Sequence, residues 1–363
     1  MKKLSYFVTF VIITIALLFI TRGTVTAADL SITGYNLLES GKCGKNVTFR
    51  VYGKNIWADD EDYKIIVSGT GSTYDYKDDE GAPMYYKWEM ANGYFKVGSD
   101  GDLIIEKGIT RIGKYLCVDI HPKSITLPEG LKSIGEGAFK SQSSLTSIKI
   151  PNTVTTIGVS AFDDCYNLKS VAIPGSVTII SRSAFNFCNA LKTLSLGKGL
   201  KTIGKDAFEA CWSLTSVNIP DSVTSLGSGA FQSCEKLKTA RISASLTKLP
   251  YGAFSGSGLT KVIFPKNSKI KIIGSYCFSF CRDLKKITLP KSVKEIKGDA
   301  FSCCDKLRVI TLLSKKPPKI KSKSVFDHTN TKKMTIKCPN MSKASNKKFR
   351  KQLKKIGYKG KVK

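Results

Sequence analysis

The residues that could do chemistry in this chain of 363 residues are eleven cysteines, two histidines and a run of acidic side chains. Six cysteines occupy one recurring position, three residues after a phenylalanine: Cys165, Cys188, Cys211, Cys234, Cys281 and Cys304. This row predicts a ladder of buried thiols that pack as small apolar side chains. Disulfides between neighbouring members are an alternative in an exported protein, although parallel side chains in register orient their Cβ atoms poorly for that bond.

The other candidates do not favour metal or catalytic chemistry. A zinc site needs four ligands that converge on one point, and one cluster of cysteines is close enough in sequence to be considered: Cys277, Cys281, Cys303 and Cys304. The acidic runs 59–62 and 100–102 do not reproduce a calcium-binding loop. His121 and His328 lie far apart with no nucleophile motif around them. The sequence therefore predicts a protein that is not an enzyme and needs no cofactor.

An internal repeat explains where the recurring cysteines come from. The dipeptide Ala-Phe, or a close variant, recurs at intervals of 23 to 25 residues. Its phenylalanines are predicted to form the core of the repeats: Phe139, Phe162, Phe185, Phe208, Phe231, Phe254, Phe278 and Phe301, with Phe326 in a less regular last unit. A degenerate first unit has Cys117 in the place of phenylalanine, which gives about ten units between residues 103 and 339.

The spacing of apolar residues within one unit predicts its local structure. In the unit 151–173, Val171 and Ile173 alternate with polar neighbours, as in a short strand with one buried face. Pro174 ends that strand because it lacks a backbone N–H. A unit this short cannot bury its apolar side chains alone, so stacked units must share one core. The sequence thus predicts a solenoid with parallel β-strands, about 50 Å long for ten units at roughly 4.8 Å each.

A glycine often follows the inward isoleucine of a unit, as in Gly158 and Gly204. A left-handed backbone is not required there, because Ser181, Pro250 and Lys297 fill the same position and proline fixes φ near −65°. We therefore expect this position to be small because the turns pack tightly.

The repeat Cys-x-x-Leu-x-x-Val-x-Ile-Pro-x-x-Val-x-x-Ile-Gly-x-x-Ala-Phe resembles the BspA-like leucine-rich repeats, also called the Treponema pallidum type. The stretch from Cys43 to Tyr76 resembles the β-rich region that often precedes such repeats, so the resemblance covers about residues 40–340. It implies a leucine-rich repeat solenoid in a secreted or surface protein of bacteria, with adhesin-like roles in some members. It names no ligand for this chain.

The first residues are predicted to be a targeting signal. Lys2 and Lys3 precede an apolar run over residues 7–20, and Val25-Thr26-Ala27 is a small-residue cleavage pattern. An uncleaved membrane anchor is the alternative, but fourteen helical residues span about 21 Å of a hydrocarbon core that is roughly 30 Å thick. We expect a mature chain that begins near Ala28, without a transmembrane segment, and is secreted or associated with the cell surface.

Charge is distributed unevenly along the chain, whose net charge is +30. Residues 59–106 contain twelve acidic residues and four lysines, whereas residues 314–363 contain eighteen lysines and arginines and one aspartate. Phe349, Leu353 and Ile356 place a short apolar stripe on a strongly basic predicted helix. The helix is predicted to cap the solenoid, and a compatible second role is an electrostatic anchor to anionic wall polymer or lipid.

These observations predict four segments: a signal peptide (1–27), a β-rich acidic region (28–102), the leucine-rich repeats (103–340) and a basic C-terminal helix or tail (341–363). The predicted function is non-enzymatic binding or adhesion through recognition of an extracellular protein or glycan. One alternative is a structural wall protein held by its basic tail, and another is an enzyme that uses the acidic region. Nucleic acid is not expected as a partner. Secretion would separate the protein from nucleic acid, and the lysines are spread over repeat surfaces and the tail.

The ligand-binding face is predicted to be the outer surface of the repeat strands, where side chains between inward residues point to solvent. Small hydroxyl side chains dominate these positions, and the pattern changes around residues 241–263. The candidate residues are Arg241, Ile263, Lys261, Asn218, Lys149 and Thr288. Small side chains also suit a tightly spaced parallel sheet in its own right, which is the alternative explanation.

Overall fold

The computed structural model describes residues 31–32, 35–53, 63–77 and 101–363. The predicted signal peptide and the acidic run 59–62 lie outside the described residues, as does Asp100. The account below concerns the described part of the chain.

The N-terminal region is a small antiparallel sheet that continues directly into the repeats. Its strands are β1 (Ser31–Ile32), β2 (Tyr35–Gly44), β3 (Val47–Gly53) and β4 (Tyr63–Gly69). The last of these pairs in parallel with the first repeat strand, with Ile65 opposite Leu103. Its alternate residues Ile65 and Val67 are fully buried, so this sheet covers the first turn of the solenoid and shares its core.

The repeats alternate between longer and shorter parallel strands, generally one of each per turn, and the longer strands make the surface that we call the strand face. Their bounds are β6 (Asp102–Ile105), β8 (Ser124–Thr126), β10 (Ser147–Lys149), β12 (Ser170–Ile173), β14 (Thr193–Leu196), β16 (Ser216–Asn218), β18 (Thr239–Arg241), β20 (Lys261–Ile263), β22 (Lys286–Leu289), β24 (Val309–Leu312) and β26 (Thr335–Lys337). Ten intervals separate these eleven strands, in agreement with about ten predicted units. The predicted leucine-rich repeat solenoid is confirmed.

The shorter strands form a second parallel ladder on another side of each turn. Their bounds are β5 (Gly71–Ser72), β7 (Ile109–Ile112), β9 (Ser133–Ile134), β11 (Thr156–Ile157), β13 (Ile179–Ile180), β15 (Thr202–Ile203), β17 (Ser225–Leu226), β19 (Lys248–Leu249), β21 (Ile272–Ile273), β23 (Glu295–Ile296) and β25 (Lys319–Ile320). Equivalent residues of successive repeats face each other in both ladders, as with Ile157 and Ile180 or Val171 and Leu194. This constant register makes equivalent side chains line up in rows along the solenoid.

The core is a column of stacked phenylalanine rings. Each ring from Phe139 to Phe326 lies 5.1 to 6.1 Å from the next, measured between centroids, and the interplanar angles are 3° to 22°. The predicted core residues Phe139 to Phe301 are all fully buried. Tyr358 continues the column at the C-terminal end, 5.6 Å from Phe326 and tilted by 52°.

Tight packing explains the repeated glycine, as expected. A Cβ atom on Gly158 would lie 2.5 Å from the carbonyl carbon of Gly135 in the preceding turn, and neither residue has a positive φ. The left-handed positions lie elsewhere, two residues before and two residues after each phenylalanine from Phe139 to Phe301. They hold residues such as Ser160 and Asp164 around Phe162, with φ of 49° and 62°.

Hydrogen bonds between turns maintain this unusual backbone. The N–H groups of Ser160, Phe162 and Asp164 donate to carbonyls of the next turn at 2.8 to 2.9 Å. Left-handed backbone costs roughly 1–2 kcal/mol per non-glycine residue, so a single turn does not hold this shape without a neighbour to bond to.

The C-terminal segment closes the solenoid with more structure than a simple tail. Two short 3-10 turns, Lys323–Phe326 and Thr331–Lys333, precede β26. Helix α1 (Lys343–Lys355) then buries Phe349 and Leu353, and strand β27 (Lys361–Val362) pairs in parallel with β26. The predicted helical cap is confirmed, and β27 is an addition that the sequence did not indicate.

Candidate ligand-binding face

The candidate residues of the strand face lie on its outer side. In β16 the burial alternates, so that Ser216 and Asn218 are exposed while Val217 is buried. Lys149, Lys261 and Thr288 are exposed as well. Arg241 and Ile263 are half-buried, which distinguishes them from the other four candidate residues.

The structure places four of the six candidate residues in one hydrogen-bonded sheet and two outside it. Asn218 pairs in register with Arg241, and Arg241 pairs with Ile263, while Lys261 is on the same strand as Ile263. Lys149 is three strands before Asn218, roughly 14 Å away at the usual strand spacing. Thr288 is on β22, which is in contact with β20 but belongs to a separate hydrogen-bonded sheet.

Arg241 is held in place by an aspartate that sequence reasoning did not single out. Its two terminal nitrogens donate to the two carboxylate oxygens of Asp221, both at 2.9 Å. One of those oxygens also accepts the backbone N–H of Ala244 at 2.8 Å. These bonds to the carboxylate lower the pKa of Asp221. The guanidinium is therefore a fixed, oriented group on the strand face, and such bidentate pairs give geometric specificity.

A half-buried apolar side chain lies next to this ion pair. Ile263 pairs in register with Arg241 on the outer side of the strand face, whereas Val262 and Phe264 on either side of it are half-buried and pack against the core. The turn that carries them is irregular, because β20 and β22 start 25 residues apart instead of 23. Ile263, Arg241 and Lys261 together combine apolar area with positive charge, whereas the neighbouring exposed residues Ser216 and Asn218 are uncharged.

The cysteine ladder has a hydrogen-bonding role that the sequence did not reveal. Each of its six thiols is buried and donates to the carbonyl of the repeat phenylalanine in the preceding turn, at 3.1 to 3.3 Å. Burial raises the pKa of Cys165 and Cys281 to about 12. Thiols that stay protonated at neutral pH are poor nucleophiles and poor metal ligands.

Two of the three exceptions to the cysteine pattern preserve this hydrogen bond to the preceding turn. Gln142 and Thr329 occupy the same position in their turns and donate to the carbonyls of Cys117 and Phe301, at 2.6 and 2.8 Å. Ser257 donates to Phe254 of its own turn at 2.7 Å. What these nine turns share at this position is a side chain with a hydrogen to donate. All eleven cysteines are within the described residues, and none of them forms a disulfide.

The remaining chemical candidates do not assemble into a site. Among the described residues, no three His, Cys, Asp or Glu side chains come together in a way that could hold a metal ion. His121 lies 3.1 Å from Asp119, and His328 lies 3.7 Å from Asp327, in turns at opposite ends of the repeats. The described part of the chain also contains no helix that is long and apolar enough to cross a membrane.

The basic C-terminal segment presents its charges outward. The apolar stripe of α1 is consumed by packing, because Phe349, Leu353 and Ile356 are all buried. Its lysines, among them Lys347 and Lys351, are exposed. This arrangement leaves no apolar side of the helix for insertion into lipid, and it leaves a cationic surface exposed.

Comparisons with known proteins agree with this architecture. A family model for the BspA type leucine rich repeat region, in six copies, matches residues 110–238, 160–271 and 252–363. No curated protein matches significantly.

Among solved structures, a leucine rich repeat protein of T. pallidum is 21% identical, with 82% of this chain and 90% of that chain covered and a TM-score of 0.42. The pneumococcal vaccine antigen PcpA is 18% identical, with 89% and 99% covered and a TM-score of 0.37. A leucine rich cell surface protein of Faecalibacterium prausnitzii is 18% identical, with 80% and 92% covered and a TM-score of 0.33.

Proposed function

Because this chain belongs to the BspA-type leucine-rich repeat family, whose model matches most of its length, we propose that it is a secreted or surface-associated binding module rather than an enzyme. Its partner is an extracellular protein or glycan that docks on the strand face. Proteins of this family are typically non-enzymatic binding modules. The leader pattern of residues 1–27 supports export.

The observation that carries this proposal is the change in the type of outward residue on the strand face around Arg241. Elsewhere the outward residues are mostly small and polar, whereas here an oriented guanidinium, an exposed lysine and a half-buried isoleucine lie together. Arginine is among the residues that dominate the energy of protein interfaces, and the centre of an interface is more apolar than its rim. We therefore place the centre of the binding site at Arg241, Lys261 and Ile263.

The test uses the intact protein without its leader, applied to immobilised fibronectin, laminin and isolated cell walls of the producing organism. The double variant Arg241→Ala with Ile263→Ser should weaken binding at least tenfold, about 1.4 kcal/mol. Lys149→Ala is the matched control, because Lys149 is exposed on the same face and remote from the site. Circular dichroism should show that both variants are folded.

Two results would overturn this assignment. Binding that the double variant leaves intact would move the site away from Arg241. Equal losses in the double variant and in Lys149→Ala would indicate a diffuse electrostatic attraction that does not involve a defined site.

A second function, retention at the wall by the basic C-terminal segment, is favoured by the exposed lysines of α1. Deleting residues 345–363 is a poor test, because the deletion removes buried Phe349 and Leu353 and strand β27. Replacing Lys347, Lys348 and Lys351 with glutamine keeps the helix and removes charge. These replacements should release protein from the producer's walls, and raised salt should release the unmodified protein in the same way. If both leave retention unchanged, the anchor is refuted.

A further inference from the structure

A groove lined by three exposed aromatic rings lies on the side of the solenoid that carries the left-handed positions, away from the strand face. Its volume is about 450 Å³, and it is lined by Gln232, Ser233, Glu235, Tyr251, Ser255, Gly256, Tyr276 and Phe280. Tyr251 is 55% exposed, Tyr276 38% and Phe280 46%. Large apolar side chains are rarely left this open in a group. We call this feature the aromatic groove.

The groove arises because small and large residues alternate between neighbouring turns. The position two residues after the repeat phenylalanine holds Ser233 and Gly256 in two successive turns and Phe280 in the third. The two small residues leave space beside the Phe280 ring. Tyr251 and Tyr276 also line the groove, with ring centroids 5.2 Å apart and planes tilted by 50°. Both tyrosine rings are partly exposed.

The lining provides apolar surfaces together with hydrogen-bonding groups. Ser233 and Ser255 contribute hydroxyls, and the Gln232 amide is oriented by a 2.9 Å bond that it donates to Glu209. Tyrosine supplies a rigid amphipathic surface at low entropic cost, and serine and glycine next to it supply adaptable polar contacts. Ligand pockets of this size commonly combine aromatic walls with a few placed polar groups.

Charge narrows the class of ligand. Although the chain carries 58 lysines and arginines, none of the eight residues that line the groove is cationic, and Glu235 is acidic. Arg282 lies over the Phe280 ring at 5.5 Å but is paired with Asp305 at 2.8 Å and does not line the groove. An anionic ligand therefore finds no counter-charge in the groove, and a cationic ligand is repelled by the field of a chain with a net charge of +30.

We propose that the aromatic groove is a second binding site, which takes a neutral oligosaccharide with its sugar rings against Tyr251, Tyr276 and Phe280. A neutral sugar has an apolar C–H face that matches the aromatic walls and hydroxyls that match the serine, glutamine and glutamate side chains. The site is separate from the strand face and does not depend on the partner proposed there.

The experiment is calorimetric titration of the intact protein, without its leader, with neutral hexasaccharides of glucose, mannose, galactose and N-acetylglucosamine. At least one should bind, and its affinity should stay within twofold between low salt and about 1 M sodium chloride, where the Debye length falls to about 3 Å. Failure of all four to bind would overturn the proposal, as would an affinity that falls steeply with salt.

The variant Tyr251→Ala with Phe280→Ala should weaken binding at least tenfold. Alanine is compatible with the left-handed backbone at Phe280, because Ala210 occupies the equivalent repeat position with a φ of 54°. Phe187→Ala is the matched control, since Phe187 holds the same repeat position as Phe280 and is 45% exposed. Tyr276→Ser is a second groove variant, because Ser160 and Ser183 are found at the position equivalent to Tyr276.

Each outcome decides the assignment. Loss in the groove variants with full binding in Phe187→Ala supports it. Unchanged binding in the groove variants, or an equal loss in Phe187→Ala, overturns it. The strand-face variant Arg241→Ala with Ile263→Ser should bind the saccharide normally, so failure of the groove and failure of the strand-face function are distinguishable.

Discussion

The hydrogen bond that each ladder cysteine donates predicts which of two substitutions, alanine or serine, destabilises the protein more. Cys211 is fully buried in a central turn, and its Sγ donates to the Phe185 carbonyl at 3.3 Å. No backbone N–H of the described residues donates to that carbonyl. If the thiol matters as a donor, Cys211→Ala should be more destabilising than Cys211→Ser. If the thiol is only a small apolar group, the order should be reversed.

The magnitudes follow from the groups that change. Alanine removes a buried sulfur, worth about 1 kcal/mol as a group of methylene size, and leaves the Phe185 carbonyl unsatisfied, which costs about 1–3 kcal/mol. We therefore expect Cys211→Ala to lower the free energy of unfolding by about 2–4 kcal/mol. Serine keeps a donor, as Thr329 does at the equivalent position with a bond of 2.8 Å to Phe301, so the expected loss for Cys211→Ser is about 1 kcal/mol.

The assay is urea unfolding of the intact protein, followed by far-ultraviolet circular dichroism and by the fluorescence of Trp212, which is adjacent to the substituted residue. A shift of the midpoint at constant slope reports the change in stability. A serine variant that is less stable than the alanine variant would refute the donor role, because a buried hydroxyl without a partner costs about 1–3 kcal/mol.

Further expectations concern the core, the thiols and one ion pair. Phe208→Ala should cost about 3–5 kcal/mol and Lys201→Ala, which is exposed, under about 0.5 kcal/mol; similar losses in urea unfolding would contradict the packing. In the native protein a thiol reagent should modify Cys303, the one half-buried cysteine, before any other, and mass mapping would reveal a different order. Lys306 and Lys238 lower the pKa of Asp283 to about 2. Because this pKa lies below its unfolded value of about 3.9, the stabilisation is complete above pH 4 and lost as the pH falls towards 2; carboxyl NMR should show the low pKa and its rise in Lys306→Gln.

The sequence predicted the features that depend on spacing alone. The interval of 23 residues fixed which phenylalanines share the core, and the alternation around Val171 fixed which side of each strand faces solvent. The packing role of Gly158 followed because Pro250 fills an equivalent position and excludes a required left-handed backbone. In each case, comparison of residues at equivalent positions in different repeats gave the prediction.

Other features depend on contacts between turns that no single repeat reveals. The left-handed positions hold residues as different as Ser160 and Phe187, because bonds to the next turn override their intrinsic preferences. Asp221 and Arg241 pair across twenty residues of sequence. The donor role of the cysteines becomes clear only when Thr329 is seen to make the same bond. The aromatic groove likewise needs the small Gly256 beside the rings of other turns.

The uniform bonding between turns also bears on how the gene can change. Each ladder thiol takes its acceptor from the turn immediately before it, and each phenylalanine N–H takes its acceptor from the turn immediately after. Recombination that removes or duplicates one whole turn among residues 147–240 would therefore recreate the same contacts at the new junction. It would change the distance between the N-terminal sheet and the basic C-terminal helix by about 4.8 Å per turn. The regular turns thus act as an adjustable spacer, and the irregular turn around Phe254 is the landmark whose position they set.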